Sequence, residues 1–178
     1  PGFGRTGKLF GFENYEVVPD IVIMGKGMGG GMPVGAFTAK AEYMDLLSDH
    51  PKLGHITTFG GHPVIAAACL ATLREVTETD LIPQTLVKET LFRELLVHPL
   101  IQEVRGKGLM LAAMVETPEI TNQVIFKCQD KGLILFWLLF EGRAIRITPP
   151  LNISEEEIRE GCAIMLEALD EVMKETAD

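Results

Sequence analysis

The stretch that most constrains this chain is Asp20–Gly35, D-I-V-I-M-G-K-G-M-G-G-G-M-P-V-G. Four apolar residues, Ile21–Met24, read as a buried strand. They deliver one lysine, Lys26, into a run of glycines: Gly25, Gly27, Gly29, Gly30 and Gly31. Glycine admits positive-φ backbone and the close approach of a flat ligand, and it leaves the lysine uncrowded. A lysine so placed suits a Schiff base with a carbonyl cofactor. A plain turn carrying a solvated lysine is the other reading. Two phosphate-loop readings fail. Lys26 precedes the glycines with no Ser or Thr after it, and Pro33 with the apolar run Val34–Thr38 stands where G-x-G-x-x-G would open a helix.

Downstream, His55–Val64 reads H-I-T-T-F-G-G-H-P-V. Thr57 and Thr58 precede two glycines and a proline suited to a first helical turn. Val64–Val76 is rich in small helix formers. Hydroxyls and free N–H groups at a helix start suit a phosphate. They equally suit an ordinary cap and turn, with His62 as a capping residue. Glu42–Leu47 reads as a short helix. Thr77–Asp80 is polar and marks a boundary, which divides the chain into domains 1–77 and 78–178. Past it come a surface helix over Leu81–His98, stopped by Pro99, and one bulged strand over Val104–Glu116. A helix over Pro118–Lys131 follows, with Ile120, Val124 and Cys128 on one face and Gly132 as its stop. Leu133–Phe140 reads as a buried strand, joined to Ala144–Thr148 by a Glu141-Gly142-Arg143 turn. Ser154 and Glu157 form a capping box, and Ile158, Cys162, Met165, Leu169 and Val172 make one helical stripe. The second half is therefore expected to be an α+β unit, its helices on one side of a small sheet.

A net charge of −9 argues against nucleic acid or an anionic membrane as partner. The longest apolar run, the eight residues Leu133–Phe140, is too short to span a bilayer. Cys69, Cys128 and Cys162 are far apart and odd in number, so they read as buried thiols in a reducing, cytoplasmic setting. His50, His55, His62 and His98 show no metal-ligand spacing. A chain that opens on Pro1, in G-F-G-R-T-G, reads as a piece of a longer protein.

Six segments in order resemble the class III pyridoxal-phosphate aminotransferases, the group of the ornithine and acetylornithine enzymes. They are G-F-G-R-T-G at Gly2–Gly7, P-D-I-V-x-x-x-K-G-x-G-G-G at Pro19–Gly31, P-x-G-A at Pro33–Ala36, T-F-G-G-x-P at Thr58–Pro63, V-R-G-x-G-L-M-L at Val104–Leu111 and R-I-T-P-P-L at Arg146–Leu151. The resemblance implies an α/β fold of type I: the end of the large cofactor domain, followed by the small C-terminal domain, in a homodimer. It implies pyridoxal 5'-phosphate as cofactor, and amino-group transfer from an amino acid or ω-amine to a 2-oxo acid such as 2-oxoglutarate. By that resemblance Lys26 carries the cofactor and moves the proton. Thr58 reaches the cofactor phosphate of the neighbouring subunit, and Arg146 forks onto the substrate α-carboxylate. Arg5 and Arg105 are then structural. The sequence departs from the pattern at Pro1, where Thr is usual, and at His62, where Asn is usual. The aspartate that would pair with the pyridinium nitrogen is placed by the resemblance before Pro1, so the chain by itself is expected to be inactive. A folded, non-catalytic assembly module without cofactor is the alternative.

Overall fold

The structure is a computed structural model that describes residues 1–48 and 50–177. These fall into two compact units: Pro1–Gly4 with Lys8–Asp80, and Arg5–Gly7 with the chain from Leu81 onward.

In the first unit, strand β1 (Ile21–Gly25) pairs antiparallel with β2 (Gly35–Ala39), setting Ile21 opposite Ala39 and Gly25 opposite Gly35. The glycine loop between them opens on a 3₁₀ turn, Lys26–Gly29. The expectation of a buried strand is corrected here: Ile23 is 84% exposed. A two-stranded ribbon buries little on either face. Helix α1 (Ala41–Asp45) is short, and α2 (Pro63–Glu78) begins with the proline at its first turn, where the missing N–H leaves nothing unpaired. His62 occupies the N-cap, but its side chain makes no cap bond. It serves through its backbone carbonyl, which accepts from Ala66 N at 2.9 Å. Near the start of the chain Phe10 stacks on Phe12 and meets Phe3 edge-on.

The second unit is a four-stranded antiparallel sheet, its strands in the spatial order Glu103–Lys107, Met110–Met114, Glu141–Ile147 and Phe136–Leu138, with helices α3 (Leu81–Leu95), α4 (Pro118–Asp130) and α5 (Glu155–Ala177). The expected single bulged strand is two strands, β3 (Glu103–Lys107) and β4 (Met110–Met114), folded back with Lys107 opposite Met110. Gly108 makes that possible with φ +61, a left-handed conformation that a side chain resists. The run Leu133–Phe140 is also corrected. Only Phe136–Leu138 is strand (β5), and the turn falls at Leu139 and Phe140, both almost fully exposed. Glu141–Arg143 is not a turn but the start of β6 (Glu141–Ile147).

The core lies on one face of this sheet. Leu111, Ala113, Ile145 and Ile147 meet Val124 and Cys128 of α4, and the α5 stripe Ile158, Cys162, Met165, Leu169 and Val172 closes over them. Helix α5 starts where expected: Ser154 Oγ accepts from Glu157 N at 3.2 Å, and Glu157 accepts from Ser154 N at 2.7 Å. That reciprocal pair satisfies two otherwise orphaned donors. Arg5 straps the unit by donating to the carbonyls of Leu109, Thr148 and Pro149, while its own carbonyl accepts from Leu109 N at 2.9 Å. Its structural role is thus visible.

Candidate active site

Lys26 is the first residue after β1 and stands exposed at the strand's end. Its φ is +49. A non-glycine residue held in that region costs about 1–2 kcal/mol, and such strain gathers at functional positions. No hydrogen bond or ion pair engages its ammonium among the described residues. Space around it is open. A Cβ at Gly27 would find nothing nearer than Phe3 Cβ at 4.0 Å, and one at Gly31 would find nothing within 4 Å. Gly30 has a different purpose: there a Cβ would collide with the Thr72 hydroxyl of α2. The glycines thus seat the loop on α2 at one point and leave the lysine unhindered at others.

Thr58 lies in the turn before α2 and is exposed. Gly60 N donates to Thr57 O and His62 N to Phe59 O, each at 3.2 Å, so two tight turns lead into the helix. The first N–H groups of a helix have no partner within it. The Thr58 hydroxyl therefore stands beside a helix start, without a hydrogen bond of its own among the described residues.

Arg146 sits on β6, opposite Ala112 of β4 and Phe136 of β5. It is half-buried, and its guanidinium carbon lies 5.2 Å from the centre of the Phe136 ring. Its Nε is buried and has no acceptor among the described residues. Other arginines differ. Arg5 and Arg93 bind carbonyls, and Arg93, Arg105, Arg143 and Arg159 face glutamates. Arg74 is simply exposed on α2. A buried donor left unpaired costs about 1–3 kcal/mol, so an acceptor at this Nε–H would be stabilising. It lines a cavity of about 350 Å³ with Leu135, Phe136, Thr148, Ile153 and Met165. The other charged lining residue, Glu157, is engaged by Ser154, whose bonds hold its carboxyl below the ordinary range.

Lys26 and Thr58 thus share the first unit, and Arg146 belongs to the second. Sequence reasoning missed Phe136, which the strand register brings to Arg146. Burial raises the thiol of Cys128 to about 11 and that of Cys162 to about 12, as inert core cysteines require. Cys69 is only half-buried. The described residues contain no cluster of His, Cys, Asp and Glu able to hold a metal, and no helix long and apolar enough to cross a membrane.

Comparison with known proteins shows the family of the chain. The model of "Aminotransferase class-III" matches residues 1–169. An acetylornithine aminotransferase of Caldanaerobacter subterraneus is 40% identical over 176 residues, covering 96% of this chain and 43% of that protein. A leucine/methionine racemase of Thermococcus litoralis is 37% identical, covering 96% of this chain and 40% of that protein. Among solved structures, an ornithine aminotransferase from Toxoplasma gondii, crystallised with partial occupancy of PLP at its active site, superposes with a TM-score of 0.88 at 31% identity. It is covered by 99% of this chain, and the chain by 42% of it in turn: the chain spans under half the length of the relatives it matches. The mixed α/β architecture is that of part of an aminotransferase, and this chain belongs to the class III aminotransferase family.

Proposed function

We propose that the polypeptide carrying this sequence transfers an amino group from an amino acid or ω-amine to a 2-oxo acid, with pyridoxal 5'-phosphate as cofactor. The observation that carries the reading is Arg146: a half-buried arginine beside a cavity, whose Nε–H has no acceptor among the described residues. An amino acid and a 2-oxo acid each bear a carboxylate, and a guanidinium fork matches a carboxylate through two parallel bonds.

The other residues fit the cofactor. Lys26 offers an amine, unengaged among the described residues, at the mouth of an open glycine loop. Thr58 offers a hydroxyl beside a helix start, where backbone donors and the helix dipole favour a phosphate. When bound, pyridoxal phosphate supplies a carbonyl carbon for amine exchange and a ring that withdraws electrons. The chain's own residues supply the rest. Arg146 orients the substrate by its carboxylate. Lys26 Nζ, once unprotonated, takes the proton from the substrate Cα. Thr58 Oγ1 donates to the phosphate, by the family resemblance that of a second copy, so the working form is a homodimer. Three unpaired cysteines suit a cytoplasmic site of action.

The test is borohydride reduction after addition of pyridoxal phosphate, followed by peptide mapping. The pyridoxyl group is expected on the peptide bearing Lys26 and nowhere else. Labelling of any other lysine, with Lys26 unmodified, would overturn the assignment.

A further inference from the structure

We propose that Phe136 is the positioning residue for Arg146, and that their pairing forms a one-sided clamp for a carboxylate. The inference rests on the reading of Arg146 given above. Phe136 and Arg146 are directly opposed in the antiparallel β5–β6 pair, so both side chains leave the same face of the sheet. The ring sits 5.2 Å from the guanidinium carbon, within the range of a cation–π contact. A ring against the flat face of a guanidinium leaves its in-plane N–H groups free, and those are the groups that fork onto a carboxylate. In the structure the guanidinium carbon of Arg146 lies over the Phe136 ring, and its Nε–H has no acceptor among the described residues.

What holds Phe136 in place is its neighbour. Trp137 leaves the opposite face of β5, donates its indole N–H to Asn122 Oδ1 of α4 at 2.5 Å and meets the Phe126 ring edge-on at 5.7 Å. That anchor matters because β5 is only three residues long, lies at the sheet edge, and loses register just after Trp137. Without it the strand would be free to slip, and with it the ring. Phe136 itself is 52% exposed, more than a core role would leave it. Its contact with Arg146 is the feature that accounts for its place.

The experiment is a titration of the 178-residue chain with 2-oxoglutarate, read by the ¹⁵N shift of Arg146 Nε. A saturable shift is expected for the unaltered chain. Arg146→Met should abolish binding measured by calorimetry. Phe136→Leu should weaken binding about two- to fivefold, the equivalent of one cation–π contact, and Phe136→Trp should restore it. No saturable shift in the unaltered chain, or full binding by Arg146→Met, overturns the Arg146 reading and this inference with it. Loss in Arg146→Met with unchanged binding in Phe136→Leu overturns this inference alone. So does failure of Phe136→Trp to bind although its thermal transition is intact, since shape and not the π face would then be the determinant.

Discussion

Replacing Gly108 with alanine should be among the most damaging single-methyl changes in the second unit. The residue turns β3 into β4 at φ +61, where alanine carries a penalty of about 1 kcal/mol. The added methyl would also collide with the Arg5 carbonyl oxygen and lie 2.8 Å from Thr85 Cγ2 and 2.9 Å from Thr6 Cα. Thr85 is fully buried, and Arg5 is held at three carbonyls, so the methyl has nowhere to go unless the strap moves. Overpacking of that kind costs about 1–3 kcal/mol. Moving the strap also breaks the bond from the buried Leu109 N to Arg5 O, for about another 1 kcal/mol. The total is about 3–5 kcal/mol. Gly132→Ala is the control: φ is +90, but nothing lies within 4 Å, so it should cost only the conformational penalty of about 1 kcal/mol. Urea unfolding followed by the single tryptophan, Trp137, reports on this unit. With a slope of about 2 kcal/mol/M, the midpoint should fall by about 2 M for Gly108→Ala and about 0.5 M for Gly132→Ala. Equal shifts for the two would refute the claim that the strap is packed against the turn.

Two further outcomes are open to direct measurement. Hydrogen bonds from the Arg143 side chain, then from its backbone N–H, lower the Glu141 carboxyl to about 2. A depressed folded value contributes stability above the ordinary glutamate value of about 4.3, and that contribution is lost as pH falls towards 2. A carbon-13 titration of Glu141 should therefore have its midpoint near 2, and Arg143→Gln, which removes the guanidinium bonds and keeps the backbone N–H, should raise it towards the ordinary range. Iodoacetamide at pH 8 should modify Cys69 in the folded protein and spare Cys128 and Cys162, whose thiols burial raises to about 11 and about 12. Mass spectrometry of the labelled peptides reads this directly.

The helices of the second unit were legible because their signals are local. The Ser154–Glu157 box, the α5 stripe and the stop at Gly132 each sit within a turn or two of the bonds they predict. The strands were harder. In Leu133–Phe140 every residue is apolar, so no alternation marks a face or an end, and the Glu-Gly-Arg that follows looks more like a turn than Leu139-Phe140 does. That error had a price in function. A turn at Glu141–Arg143 would set Leu138 opposite Arg146, whereas the true register sets Phe136 there. Lys26, Thr58 and Arg146 could be singled out because they lie in segments with a family pattern. Phe136 could not, since its role depends on which residue it faces across a ladder. The exposure of β1 was likewise hidden: Ile-Val-Ile-Met tells of apolar character, not of how many strands stand beside it.

The strap at Arg5 also bears on how this protein can be dissected. Three residues near the beginning of the chain belong physically with its second half, although residues from the first half flank them on both sides. Scission after Asp80 would therefore deliver neither unit whole. A polypeptide starting at Leu81 would have to hydrate the carbonyls of Thr148 and Pro149, at the exit of the strand that bears Arg146, and would need Arg5–Gly7 added back as a separate peptide to rebuild that corner.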